Sequence, residues 1–470
     1  MRPSVLLIHP LYGDETIRRV FQPGVELPIS LAYLASYLET QGCLCDFLDL
    51  RLESKPEQAL SERLASNRYL VVGITASTAG LDMAARAAKQ VKALAPNSKT
   101  VIGGWHASAL PEDTLRAFPQ FDYLVHGEGE VAFTRLVQFL DGGGDPARVR
   151  GLAFRSNGEV IVNPREELIT NLDQLPFPCR EKLPIHRYQP TPATRNCLRL
   201  PSTGILVGRG CPYNCRFCYK GVWGKSVRFR SPQNVLDEIQ LCIDRYGIHD
   251  FRFYDDSMTF PAWDLEGFCR EVIRRGLRIS WNCWSRVNNV SEEKLRLMKA
   301  AGCYHIKFGI EFGTERALRL ARKGATLQQA QEAVRLSRKV GIESKGSFIF
   351  GIPGETVGEC RDTISFALRT APDFATFYPF DPIPGSPFHE SILKGDINPA
   401  VDMLPREVTT RLADEAYRRF YLRPRFLLRR FTAFVRHPFR ELRALVSGGL
   451  MLASYWRGRC TERFFSNSTA

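Results

Sequence analysis

No run of about twenty apolar residues occurs in the 470-residue chain, so no segment is suited to crossing a bilayer as a helix. The longest candidate, ALVSGGLMLASYW from Ala444, is short and broken by glycines; it could lie on a membrane but not span it. The opening stretch, MRPSVLLIHPLYGDET, has only the apolar run VLLI before a proline. That is too short for a signal peptide and reads as a first buried strand. A GxGxxG motif after this strand is also missing, which disfavours a bound dinucleotide. Thirteen cysteines in a chain without an export signal argue for reduced thiols, metal ligation and a cytoplasmic compartment rather than for disulfides.

What is present fits a globular protein of two or three domains, with 44% hydrophobic and 24% charged residues. The net charge of +14 suggests a nucleic-acid partner until it is located. Between Arg418 and Arg463 stand twelve arginines and two glutamates, so that tail alone carries +10. Its arginines alternate with Phe, Leu and Tyr at helical spacing. The pattern suits an interfacial helix in peripheral contact with the inner membrane surface, or a packing helix that caps the neighbouring domain. RNA is disfavoured.

Residues 4–140 alternate near-continuous apolar strands (VLLIHP, CDFLDL, YLVVGIT, KTVIGG, FDYLVHG) with helical stretches such as PISLAYLASYLETQG. This predicts an α/β domain, a Rossmann-like parallel sheet covered on both faces. Asn157-Gly158 marks a type I′ hairpin, and a proline-rich linker follows. From Ile205 a second alternation gives six strand candidates: GILVGRG, DFRFYDD, RISWNCWS, YHIKFGIE, SKGSFIFGIP and FATFYPFDP. Six βα units in series predict a partial (β/α)6 barrel with its chemistry at the carboxyl ends of the strands. The expected domains are 1–145, a linker at 146–199, the barrel at 200–395 and a helical basic tail at 396–470.

GRGCPYNCRFCYK, residues 208–220, places Cys211, Cys215 and Cys218 after the first barrel strand. Three thiolates at C-x3-C-x2-C spacing can each bind a separate iron of a cuboidal [4Fe-4S] cluster, leaving one iron open. The rival is a zinc site completed by Cys197 or a histidine, although zinc sites favour paired C-x2-C units.

With Phe217 before its last cysteine, the triplet resembles the signature of the radical S-adenosylmethionine (radical SAM) superfamily. YDDSMTF, GIEFGTERAL and FIFGIPGET follow in the order of that family's barrel, so the resemblance covers roughly residues 200–395. It implies that S-adenosyl-L-methionine (SAM) chelates the open iron. A donor such as flavodoxin or ferredoxin would reduce the cluster, and SAM would be cleaved to methionine and a 5′-deoxyadenosyl radical. By position, Phe217 would pack near the adenine and Asp255 or Asp256 would meet the methionine amino group. Arg286 would meet the carboxylate and Glu311 the ribose hydroxyls, while Gly351 and Gly354 would let backbone approach the adenine. Asp255-Asp256 could instead cap a helix, and Glu311 could close a strand-end salt bridge. Cys242, Cys269, Cys303 and Cys360 fall on apolar faces and read as packing.

The front domain resembles the cobalamin-binding domain that precedes the barrel in one radical SAM subgroup. The matching segments are 28–42, GITAST, IGGWHAS and DYLVHGEGE. The resemblance implies cobalamin contacts from Thr75, Ser77, Gly103, Gly104, His106, Gly127, Glu128, Gly129 and Glu130. The D-x-H-x-x-G fingerprint is absent, and His9 has no preceding Asp, so cobalamin is expected without a protein imidazole below cobalt. These features together imply methyl transfer to an unactivated carbon of a small molecule or lipid. The alternative is radical cyclisation or rearrangement of a lipid or tetrapyrrole. A corrinoid carrier or sensor would leave the cysteine triplet unexplained.

Overall fold

Strand β1 (Ser4–His9) lies second from one edge of a seven-stranded sheet whose order is β2-β1-β3-β4-β5-β6-β7. It pairs with β2 (Leu44–Asp49) and β3 (Val71–Thr75), and β4 (Lys99–Gly103) and β5 (Tyr123–Val125) continue the sheet from β3, all joined in parallel. Both faces are buried, as the unbroken apolar strands require. On one side Leu6, Ile8, Val72 and Ile74 pack with the helix Leu81–Leu94. On the other, a Cβ at Gly73 would stand 2.9 Å from Phe133 of the helix Gly129–Gly142. The Asn-Gly hairpin forms as β6 (Leu152–Ser156) and β7 (Glu159–Val162), with φ of 52° at Asn157 and 83° at Gly158. It adds to the sheet through antiparallel pairing of β5 with β6.

This computed structural model describes residues 2–11, 24–190, 197–436, 438 and 441–442. The chain divides into two compact units. One is Met1–Gln189 with Lys220–Gly224, the other Pro190–Tyr219 with Lys225–Ala470. The hairpin and the proline-rich segment thus belong to the first unit.

The second unit holds six strands in sequence order, all parallel. They are β8 (Ser202–Ile205), β11 (Asp250–Phe253), β12 (Ser280–Arg286), β13 (Cys303–Glu311), β14 (Glu343–Phe350) and β15 (Phe374–Pro379). A two-residue ribbon, β9 (Gly208–Arg209) with β10 (Arg228–Phe229), follows β8. One face of the sheet is aromatic and packs on helices: Phe253, Trp281 and Phe268 of the helix Leu265–Arg274 form an edge-to-face trio. Polar caps start the helices. Thr326 and Thr356 form capping boxes with Gln329 and Glu359, so the end of GIPGET is a helix start.

The helix Pro424–Arg436 packs against the barrel sheet, as the packing reading of the tail expects. Arg429 pairs with Asp373, and Arg430 lies 3.7 Å from Glu343 and 4.9 Å from the Phe374 ring centroid, at the amino ends of the strands. Leu427, Leu428, Phe431 and Val435 are exposed. The apolar run from Ala444 lies outside the described residues. No helix among the described residues is long and apolar enough to cross a membrane.

Candidate active site

The cysteine loop begins where Asp255, just past β11, reaches back to β8. Its Oδ1 accepts the backbone N–H of Val207, at 3.0 Å, and that of Gly208. Asp255 is buried, and its Oδ2 has no hydrogen-bond partner. Burial pushes its carboxyl up to about 7, against the pull of the backbone donors. Such an orphaned oxygen at the carboxyl end of a strand fits an incoming ammonium group. Asp256, the next residue, is exposed. Helix capping falls to neither: Asp264 caps the next helix, accepting from Gly267 N at 2.8 Å.

Gly208 is needed at the base of the loop, because a Cβ there would lie 2.4 Å from Phe229 across the ribbon. Within the loop Cys215 is buried, and Cys211 and Cys218 are half-buried. Arg216 anchors the loop: its N–H donates to Ala321 O at 2.9 Å, its carbonyl accepts from Phe388 N, and its guanidinium covers the Phe388 ring at 4.4 Å. The twelve described cysteines form no disulfide. Cys197, the zinc reading's fourth ligand, instead directs its thiol to Pro190 O at 3.3 Å. Among the described residues no three His, Cys, Asp or Glu side chains are gathered as for one metal ion. A cubane asks each thiolate for a separate iron, and a triplet on one loop supplies that donor set.

Arg286, at the end of β12, is committed to the loop. Its Nη1 lies 3.7 Å from Cys215 Sγ, its guanidinium stacks on Tyr213 at 3.6 Å, and Nη2 donates to Lys323 O. With Nε on Asn288 at 3.3 Å, all three nitrogens are engaged. The expected carboxylate contact would have to be made beside these bonds.

Glu311 closes β13 with φ of +70°, at a break in register between Gly309 and Glu311. The bulge turns its carboxylate onto Lys323, Oε1 to Nζ at 2.9 Å, and both side chains are buried. A Cβ at Gly309 would stand 2.3 Å from Glu311 Oε1, so glycine is needed there. Lys323 Nζ also lies 5.7 Å from the centroid of Phe217, whose ring meets Phe312 edge-on at 6.1 Å. Lys323 and Tyr213 thus tie Phe217, Arg286 and Glu311 into one group with the cysteine loop. Sequence reasoning missed both. Tyr213, an aromatic between two cysteines, was the more readable; Lys323 is placed by a turn with φ of 49° at Arg322 and 64° at Gly324.

Both glycines of GIPGET have positive φ, 86° at Gly351 and 82° at Gly354. A Cβ on Gly351 would lie 2.4 Å from Thr409 Cγ2, and on Gly354 3.7 Å from Leu320. The helix Arg406–Tyr421, which carries Thr409, takes the space over Gly351; with φ of +86°, that explains the glycine. Directly after Gly354, buried Glu355 accepts from Gly351 N at 2.6 Å and Ile352 N at 3.2 Å, and burial pushes its carboxyl up to about 7.

In the first unit, the order 2-1-3 puts a topological switch point outside the carboxyl ends of β1 and β3. Thr75 ends β3, and Ser77 follows it half-buried. Gly103 O accepts from Ala76 N at 2.9 Å. A Cβ on Gly104, at φ +105°, would fall 2.6 Å from Ala76 O and 3.0 Å from Thr75 Oγ1. These close walls fit a flat macrocycle. His106 is buried, and its Nδ1 bonds Thr78 Oγ1 at 2.9 Å. Ser108 Oγ accepts from Gly127 N at 3.0 Å, which links the loops after β4 and β5. Glu128 accepts Ile169 N at 2.9 Å, and Gly129 and buried Glu130 open the next helix. His9 is held neutral by burial, its value lowered to about 4, with Nδ1 on Pro10 O at 2.9 Å.

The sequence matches two family descriptions: Radical SAM superfamily over residues 205–367 and B12 binding domain over residues 22–137. A Pyrococcus horikoshii protein named as an uncharacterized methyltransferase is 33% identical over 94% of this chain and 97% of its own. The anaerobic magnesium-protoporphyrin IX monomethyl ester cyclase of Rubrivivax gelatinosus is 28% identical over 91% and 79%. The radical S-adenosylmethionine methyltransferase TsrM from Kitasatospora setae, solved with tryptophan substrate and a SAM analogue, superposes with a TM-score of 0.70 at 22% identity. The match covers 83% of this chain and 76% of that one, and at this identity it speaks to fold. The chain belongs to the radical SAM superfamily, in the subgroup with an N-terminal cobalamin-binding domain, and its cofactors are a [4Fe-4S] cluster, SAM and cobalamin.

Proposed function

We propose that this protein is a methyltransferase acting on an unactivated carbon of a small molecule or lipid. The observation that carries the reading is the presence on one chain of both family matches, with a full-length relative that bears the methyltransferase name. When bound, the cluster and SAM supply a hydrogen-abstracting radical, and cobalamin supplies the methyl group.

The residues divide the work. Cys211, Cys215 and Cys218 hold the cluster, and Arg286 fixes the loop through its contacts with Cys215 and Tyr213. Asp255 offers Oδ2 to the SAM amino group, Glu311 receives the ribose hydroxyls, and Phe217 packs near the adenine. Lys323 orients Glu311 through their ion pair. In the first unit Thr75, Ser77, Gly103, Gly104, His106, Gly127, Glu128, Gly129 and Glu130 line the corrinoid. The exposed apolar face Leu427-Leu428-Phe431-Val435 rests on the inner membrane surface, with neighbouring arginines at the headgroups. Flavodoxin or ferredoxin supplies electrons.

The cyclase relative favours a second reading, radical cyclisation or rearrangement without methyl transfer. Reduced protein loaded with cobalamin and given SAM and candidate substrates separates the two. Methyl transfer yields 5′-deoxyadenosine, S-adenosylhomocysteine and labelled product from methyl-labelled SAM. 5′-Deoxyadenosine with an unlabelled product sinks the methyltransferase reading. No 5′-deoxyadenosine at all leaves a corrinoid carrier.

A further inference from the structure

Arg286 carries a buried positive charge that no acidic side chain neutralises. It is 6% exposed, at the carboxyl end of β12. Its guanidinium donates to Asn288 Oδ1 at 3.3 Å, Cys215 Sγ at 3.7 Å, Gly324 O at 3.4 Å and Lys323 O. Among the described residues it has no carboxylate partner. Glu311 and Asp255, at the neighbouring strand ends, are committed elsewhere: Glu311 pairs with Lys323 Nζ at 2.9 Å, and Asp255 Oδ1 accepts from Val207 and Gly208. A buried charge without a counter-charge is costly, so the position calls for an anion.

The guanidinium is also held in one orientation. Tyr213 covers it at 3.6 Å, and the tyrosine is fixed in turn by Asn289 Oδ1 at 3.1 Å and by stacking on Phe260 at 5.9 Å. The carbonyls of Lys323 and Gly324 engage Nη2, which leaves Nη1 for the cysteine sulfur. A planar fork fixed at three nitrogens does not reorient when the charge beside it changes.

We propose that Arg286 raises the reduction potential of the cluster through a charged hydrogen bond from Nη1 to the Cys215 thiolate. This rests on the reading that the triplet holds the cluster. Three thiolates leave a four-iron cluster anionic, and the electron taken from the external donor adds one more negative charge. A guanidinium beside a ligand sulfur therefore stabilises the reduced form more than the oxidised one, and burial keeps the interaction strong. Arg286 thus eases electron entry from the donor and lessens the driving force with which that electron passes on to SAM. The charge expected to meet the SAM carboxylate is assigned to the cluster instead.

The test is a potentiometric titration of full-length, cluster-reconstituted protein without SAM or cobalamin, followed by electron paramagnetic resonance of the reduced cluster. Arg286→Gln removes the charge and keeps a planar donor. Its potential should fall by the equivalent of about tenfold or more in the one-electron equilibrium, ~59 mV. Arg286→Lys keeps the charge and should stay closer to the parent, with iron content unchanged in both. Equal shifts in the two variants would make Arg286 a support of the loop and overturn the proposal. So would a parental potential in Arg286→Gln; reduced SAM affinity there would then return the residue to the carboxylate. Should Arg286→Gln lose iron, Arg286→Lys decides: a potential close to the parent's supports the role of charge, and loss of iron or a shift beyond tenfold overturns it. A parent chain that takes up no four-iron cluster would overturn the ligand assignment, and this proposal with it.

Discussion

Glu311 shows how one residue can hold a cost locally and spread its benefit. A non-glycine at φ +70° is strained, and the bulge that imposes the strain also aims the carboxylate at Lys323. Glu311→Gln keeps the shape but removes the charge. SAM affinity, measured by equilibrium dialysis on reconstituted protein, should fall by about five- to tenfold with iron content unchanged. Equal affinity would leave Glu311 as a strand-end salt bridge. Single Cys211→Ala, Cys215→Ala or Cys218→Ala variants should lose the cluster. Cys303→Ala, in the packed interior, should keep it and lose about 1 kcal/mol of stability. Full iron in any triplet variant would undo the ligand assignment.

Asp250 gives the pH test at the same scale. It is fully buried at the start of β11, and its carboxyl is raised to about 7, chiefly by burial. The folded chain thus keeps a proton that the unfolded chain releases near 4. The stability this proton contributes is complete below that value and is lost as pH rises through 7. Asp250→Asn keeps an acceptor for Ser280 and cannot ionise. Above pH 7 it should match or exceed the parent by about 1–3 kcal/mol, with little difference at pH 4. A parent that stays equally more stable than the variant across that range would contradict the assignment.

Among the elements, the loops between strand ends carry the tightest geometry. In the front domain Gly104 is such a case, since both its φ of +105° and the 2.6 Å approach to Ala76 O exclude a side chain. Gly104→Ala should cost the first unit about 2 kcal/mol or more and abolish corrinoid binding, seen by gel filtration with hydroxocobalamin, while iron content is unaffected. Retained corrinoid binding would move the macrocycle away from the β3 and β4 loops.

The elements were also the most legible part of the sequence. All six barrel strands lie where apolar runs end in polar clusters, and Asn157-Gly158 alone announced its hairpin. Asp255 and Asp256 could not be told apart, because their orientation depends on where β11 ends rather than on residue type. Lys323 was invisible because a bulge and a turn, both set by register, bring it to Glu311. The glycine at 351 was legible as a constraint, yet its cause, Thr409, lies 58 positions along the chain.

For the whole molecule, the cofactor spectra provide a test. His9 and His106 each have a ring nitrogen bonded within their own unit, and no D-x-H-x-x-G motif supplies an axial imidazole. Bound hydroxocobalamin should therefore show a base-off absorbance spectrum at near-stoichiometric loading. A base-on spectrum that shifts when His106 is replaced by Ala would assign that residue to cobalt.

The hairpin that extends the front sheet bears on how copies of the protein behave at high concentration. A parallel sheet ending at β5 would present an open rim able to recruit a strand from another chain. Here the rim is β7, only four residues long, charged at Glu159 and followed shortly by Pro164. Ile161 and Val162 are 39% and 38% exposed there, too small a surface to seed stacking into fibrils. The ribbon thus works as a selvedge, finishing the sheet so that it cannot unravel into its neighbours.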